Sequence, residues 1–162
     1  MTTYIEFTPS SNANFQFQAQ LDNNIYNVVT TWALYGSRYY FNVYSTDGTL
    51  IVSKPMVGSP PPIALKDIKY SYGTAIATTV VPHNYKIGSV VYLRINNCSP
   101  LEYNGLFLCS IINSTSFSYK VSNISSDAVY AGICSYDINI VGGYFDSSIV
   151  WRPDNNQIEI NQ

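Results

Sequence analysis

No useful window of the chain carries apolar residues at a 3.6-residue period, whereas period-two runs recur throughout. The clearest is NFQFQAQ at 14–20, where Phe15, Phe17 and Ala19 alternate with Gln16, Gln18 and Gln20. An extended strand sends successive side chains to opposite faces, so this segment has one apolar and one polar face. The same reasoning predicts strands at 4–7, 14–20, 25–31, 38–45, 49–53, 76–81 and 89–95. Further strands follow at 105–112, 116–122, 129–134, 137–141, 147–151 and 157–160. The expected class is all-β, an antiparallel sandwich or barrel.

Turn chemistry divides these runs. Asp47-Gly48 is a pair suited to a two-residue type I′ hairpin turn, and LDNN at 21–24 is a second turn. The segment YYFNVYSTDGTLIVSKPMVGS at 39–59 is aromatic on both faces. Tyr40, Asn42 and Tyr44 point one way and Tyr39, Phe41 and Val43 the other. Such a hairpin is expected to be covered by its own core on one side and by a partner on the other. GSPPPI at 58–63 cannot be a central strand, because three prolines donate no ladder hydrogen bond. It reads as a stiff crossover into a second group of short strands, with turns at PHNYKIGS, SPLEYNG and INSTS. The expected organisation is a discontinuous domain of 1–73 plus 138–162 around an inserted small β-barrel-like or sandwich domain of 74–137. Trp32 and Trp151 are expected in one core.

Composition narrows the function classes. Of 162 residues, 46% are apolar, 15% aromatic and 11% charged, against roughly 25% charged in an ordinary domain. Low charge and a formal net charge of −2 give little self-repulsion, which favours a place in an assembly over prolonged life as a free monomer. The eight Lys and Arg residues are scattered, so no basic patch exists to displace phosphate counterions and no nucleic-acid partner is expected. No apolar run approaches the roughly 20 residues of a membrane helix. The start, MTTYIEFTPSS, lacks the basic and apolar regions of a signal peptide. The three cysteines, Cys98, Cys109 and Cys134, are expected as reduced, partly buried thiols, with a Cys98–Cys109 disulfide as the lesser alternative.

Candidate chemistry is sparse. His83 is the only histidine, so neither a His-rich metal site nor a two-His zinc motif can be built. It is expected to pack on a tyrosine or cap backbone groups. Asp22, Asp47, Asp127 and Asp154 sit in turn contexts, where the carboxylate bonds its own backbone. Glu6 and Glu159 read as outward members of strands, and no carboxylate pair stands out for glycoside hydrolysis. No catalytic residue, cofactor or metal site is assigned. The tyrosines suit a protein interface or, as the alternative, a carbohydrate groove. The N-x-[ST] matches at Asn97, Asn113 and Asn123 are expected by chance in an Asn- and Ser-rich chain.

The N-terminal run IEFTPSSNANFQFQAQLDNNIYNVVTTW, followed by RYYFNVYSTDGTLIVSKPMVG, resembles the plug proteins of contractile-tailed bacteriophage baseplates of the cyanophage type. The likeness lies in Pro9, Phe15, Leu21-Asp22, Tyr26, Tyr39 to Tyr44, Asp47-Gly48 and Val57-Gly58, and the closing SSIVWRPDNNQIEI is similar to a final hairpin of longer phage proteins. The middle segment resembles a small β module of phage tail proteins through His83, Tyr85, Gly88, Val91, Pro100 and Tyr103-Asn104-Gly105. The likeness continues at Ser114, Ser116-Phe117, Tyr119 and Val121. The plugs are shorter, so the middle segment reads as an insertion. The resemblance implies a non-enzymatic virion protein of the tail baseplate, present in multiple copies and made in the bacterial cytoplasm. Its implied partners are hub and tail-tube proteins, with a spike or tape measure beyond them. Partner contacts are expected from Tyr39, Tyr40, Tyr44, Pro60, Pro61 and Pro62. The rival reading is a carbohydrate-binding module of a tail tip that touches the host surface.

Overall fold

A computed structural model describes residues 1–162. The protein is all-β and antiparallel, with one 3₁₀ turn at Leu101–Tyr103 and no α-helix. It divides into two compact units, Met1–Pro60 with Ile138–Gln162, and Pro61–Asp137.

The first unit holds two sheets. One runs in the order β2 (Phe15–Leu21), β3 (Asn24–Ala33), β4 (Arg38–Tyr44) and β5 (Leu50–Pro55). The other joins β1 (Thr2–Glu6) to β13 (Gln157–Asn161) and β12 (Ser148–Arg152). Their inner faces share a core of Phe7, Leu21, Val28, Phe41, Val43, Ile149 and Ile158, all at most 1% exposed. Trp32 and Trp151 join this aromatic system without meeting directly. Trp32 packs on Tyr39 at 4.8 Å, Tyr39 on Phe7 at 5.6 Å, and Phe7 on Trp151 at 6.4 Å, each edge-on. Edge-to-face rings align the positive rim of one with the negative face of the next.

The second unit is a closed six-stranded barrel. Its strands are β6 (Ile63–Ser71), β7 (Thr74–Thr79), β8 (Val90–Asn96), β9 (Gly105–Ile111), β10 (Ser116–Lys120) and β11 (Ile133–Ser135). Around the barrel the order is β10-β7-β6-β11-β8-β9, and β9 pairs with β10 to close it. Leu93, Ile95, Tyr103, Cys109, Phe117 and Cys134 fill the interior. The unit boundary therefore falls at Pro60/Pro61 instead of at 73/74. The reason is β6, which begins directly after Pro62 and pairs with both β7 and β11. The prolines obscure this strand in the sequence, and so does a bulge at Lys66, between Leu65 and Asp67.

Two turns differ from expectation. Asp47-Gly48 is not a two-residue type I′ turn. Only Gly48 has positive φ, at 88°; Ser45 N–H donates to Thr49 O (2.9 Å) and Gly48 N–H to Ser45 O (3.0 Å). That is a three-residue loop with a bulge glycine, and the β4–β5 register shifts beside it. The type I′ geometry belongs to Asp22-Asn23 (φ 47° and 66°) and to Tyr72-Gly73 (φ 44° and 78°). The segment at 137–141 also forms no strand. Asn139 Oδ1 accepts from the amides of Val141 and Ile149, both at 3.1 Å, and so replaces the ladder partner. Ile140 and Val141 still reach the core.

Barrel closure leaves no room at Gly132, just before β11. Its φ is +67°, and a Cβ there would lie 2.0 Å from the Asn96 carbonyl oxygen. Gly132→Ala is expected to destabilise the protein by at least about 3 kcal/mol in urea titration. Gly88→Ala, at the same kind of φ but with open space around it, should cost only about 1 kcal/mol. Equal costs would contradict the steric account.

Candidate binding surface

The aromatic hairpin splits its side chains between two environments. Phe41 and Val43 are fully buried, and Tyr39 is held in the core by Phe7 and Trp32. Tyr39 is therefore a packing residue. Tyr40 and Tyr44 lie half-buried on the opposite face of the sheet. Between them sits Asn42, only 7% exposed. Its amide donates to Val29 O (3.1 Å) and Thr31 Oγ1 (3.2 Å), and its carbonyl accepts from Ser53 Oγ (2.7 Å). Asn42 thus ties β3, β4 and β5 together beneath the two tyrosines. With the floor fixed, little further ordering entropy remains to be lost when the face is covered.

This outer face carries almost no charge. Cross-strand rows run Gln18–Asn27–Tyr44, then Gln16–Val29–Asn42–Ser53, then Thr31–Tyr40–Pro55. Lys54 lies on the inner side, its Nζ donating to Gly142 O at 2.8 Å and sitting 4.9 Å from the Tyr144 ring. Arg38 appears only at the hairpin end, where Nε donates to Gly36 O at 3.2 Å. A shallow depression of about 200 Å³ opens among Gln16, Gln18, Asn27 and Val29.

Pro60, Pro61 and Pro62 are exposed. Pro60 is anchored, since its carbonyl accepts from Arg152 Nη1 at 2.8 Å. Arg152 is 2% exposed, and its Nη2 also pairs with Glu159 Oε2 at 3.1 Å. Glu159 is thus a partner for a buried guanidinium and not the outward strand residue that alternation suggests. The chain leaves this unit beside its return point, for Ile138 N–H donates to Ser59 Oγ at 2.9 Å.

A second concave region, about 300 Å³, is lined by Asp22, Asn23, Asp146, Ser147 and Gln162. Of its two carboxylates, that of Asp22 is already committed. Asp22 Oδ1 accepts from Ser147 N–H and Oγ–H, both at 2.8 Å, and Oδ2 from Asp146 N–H at 3.1 Å. These bonds clip the β2–β3 turn to the loop before β12, joining the two sheets. The Ser147 amide and hydroxyl, with the Asp146 amide, hold the Asp22 carboxyl below the usual carboxylate range. The aromatic pair nearby, Tyr26 and Phe145, meets edge-on at 67°, as core rings do, and forms no flat platform for a sugar.

In the barrel, His83 is buried as a structural residue. It stacks on Tyr85 at 4.8 Å, and its Nδ1 accepts from the Tyr85 amide at 3.1 Å. The three cysteines are free buried thiols. Burial pushes Cys98 up to about 11 and Cys109 and Cys134 up to about 12, so none is a ready nucleophile at neutral pH. No group of His, Cys, Asp and Glu has the arrangement of a metal site, and no helix is long and apolar enough to cross a membrane.

Sequence reasoning missed two exposed features. Leu34 and Tyr35 stand out at the β3–β4 turn; the sign was an apolar pair directly before Gly36-Ser37, where turns are usually polar. Tyr92 and Leu108 pair across β8 and β9 on the barrel exterior; the sign was a run apolar at every position. Comparison with protein-family models, curated proteins and solved structures gave no match.

Two outcomes follow from these contacts. Removing Glu159 takes a charged hydrogen bond from the buried guanidinium, so Glu159→Ala should cost about 2 kcal/mol, whereas joint Arg152→Met/Glu159→Leu should cost less than Glu159→Ala and Arg152→Met added together. Urea titration of each decides it; a double variant as weak as the sum of the singles would refute the pairing. A carboxyl held below its unfolded value gives stability that is present above pH about 4 and lost as pH falls further. Asp22→Asn, which tolerates the positive φ, should therefore flatten the fall in melting temperature between neutral pH and pH about 3; an unchanged profile would contradict the clip.

Proposed function

We propose that this protein is a structural component of a phage virion, a plug or hub-associated part of a contractile-tail baseplate that acts through protein–protein contact. The observation that carries the contact reading is the uncharged outer face of the β2–β5 sheet, with Tyr40 and Tyr44 standing on the Asn42 network. Interface cores are depleted of charge and enriched in tyrosine, and rigid aromatic anchors lose little entropy on binding. The baseplate position rests on the sequence resemblance alone. In this reading Tyr40, Tyr44 and the exposed prolines Pro60–Pro62 meet neighbouring tail proteins, while Tyr39 holds the floor from within.

Tyr40→Ser with Tyr44→Ser tests it in assembling particles. The purified variant should keep its fold by circular dichroism, while its occupancy in imaged tails falls, each lost anchor weakening the contact by about 2 kcal/mol. Full occupancy, or specific glycan binding by the isolated wild-type chain that these substitutions abolish, would overturn the proposal.

A further inference from the structure

The free edge of the β2–β5 sheet is as informative as its face. Strand β2 is an edge strand whose only sheet neighbour is β3. It pairs through seven consecutive registers with no shift, from Phe15↔Thr30 to Leu21↔Asn24. Leu21 and Asn24 close a two-residue turn, so odd-numbered residues of β2 direct their main-chain groups to β3. Even-numbered ones direct theirs outward. In agreement, Gln20 O accepts from the Gln162 side chain at 3.2 Å, and Phe15 O from Thr30 Oγ1 at 3.4 Å. The main-chain groups of Gln16 and Gln18 face out with no partner in the chain.

Natural sheets guard such edges with charge, proline, bulges or a covering segment. The other edges of this unit do so. Strand β5 has the register shift beside it, Lys54 and Pro55. Strand β12 is covered where Gly58 bridges Trp151 and Ser59 N–H donates to Trp151 O at 2.8 Å. Strand β1 ends on Glu6, two residues before Thr8-Pro9. Strand β2, FQFQAQL, carries no charge, proline or bulge, and of its outward groups only Gln20 O is covered, by Gln162. Its inner-face rings Phe15 and Phe17 also remain half-exposed there, 5.7 Å apart.

We infer that β2 is the pairing edge for a second copy of this chain. The two strands run antiparallel about a two-fold axis at Phe17, with Gln16 opposite the second copy's Gln18. That register makes two hydrogen-bonded pairs, about four main-chain bonds, and leaves the Gln162 contact in place. No like charges oppose each other across β2, and the half-exposed phenylalanines gain cover. The two outer faces become one continuous uncharged surface. Because β5 lies at both far edges and is guarded, the arrangement closes as a dimer and does not propagate into a fibre. Small pairing area makes the association concentration-dependent. The inference stands on the strand edge and does not depend on the virion reading.

Analytical ultracentrifugation of the full chain, from micromolar to millimolar, tests it. Wild type should pass from monomer to dimer, and Gln18→Pro should raise the dissociation constant at least about tenfold. The Gln18 N–H has no partner within the chain, so the proline variant should melt as wild type does. If it melts lower, Gln16→Lys with Gln18→Lys replaces it, placing like charges opposite each other; weakening at low salt, relieved by high salt, supports the pairing. A wild-type monomer throughout, or a dimer that neither variant weakens, overturns it.

Discussion

Main-chain hydrogen bonding is the constraint on which both units depend. A chain built almost wholly of strands must find a partner for each buried N–H and C=O, and the two units meet that demand differently. The second unit closes on itself, so every strand has two neighbours. The weakest link in that circle is β11, whose three residues stand between β6 and β8. Gly132 lets β11 approach the Asn96 carbonyl, where no other residue fits. The first unit stacks two open sheets and has edges to manage. It manages most of them with a lysine, a proline, a bulge or a covering segment.

Polar side chains finish what the ladders leave undone. Asn139 supplies an acceptor where alternation predicts a strand, Asp22 clips one sheet to the other, and Asn42 stitches three strands below a half-buried face. Arg152 is a buried cation satisfied by Glu159 and by a carbonyl at the start of the proline segment. Few charges are present, and those inside the fold are given structural work. Most of the charged residues lie on the surface, but the outer face of the β2–β5 sheet carries almost none.

The class of fold was legible because period-two alternation is strong here: NFQFQAQ and the 39–44 strand lie where the pattern puts them. Alternation also separates Tyr40 and Tyr44 from Phe41 and Val43. It does not show that Tyr39 sits between Phe7 and Trp32, since that depends on residues distant in sequence. Strand β6 was hidden by the proline run before it and by the bulge that breaks its alternation. The Asp47-Gly48 pair misleads because glycine alone takes positive φ there, while the true type I′ pairs include Tyr72, a residue turn statistics would not choose. Glu159 looked exposed because its partner is a buried arginine on the neighbouring strand.

The decisive measurement is amide hydrogen exchange on the intact chain at low concentration, read residue by residue through the barrel. If closure through β11 organises that unit, the amides of Ile133, Cys134 and Ser135 exchange as slowly as those of β8, because both sides of so short a strand are bonded. Exchange of β11 at the rate of an exposed loop, with β6 and β8 each protected on one side only, would show an open sheet and contradict the account.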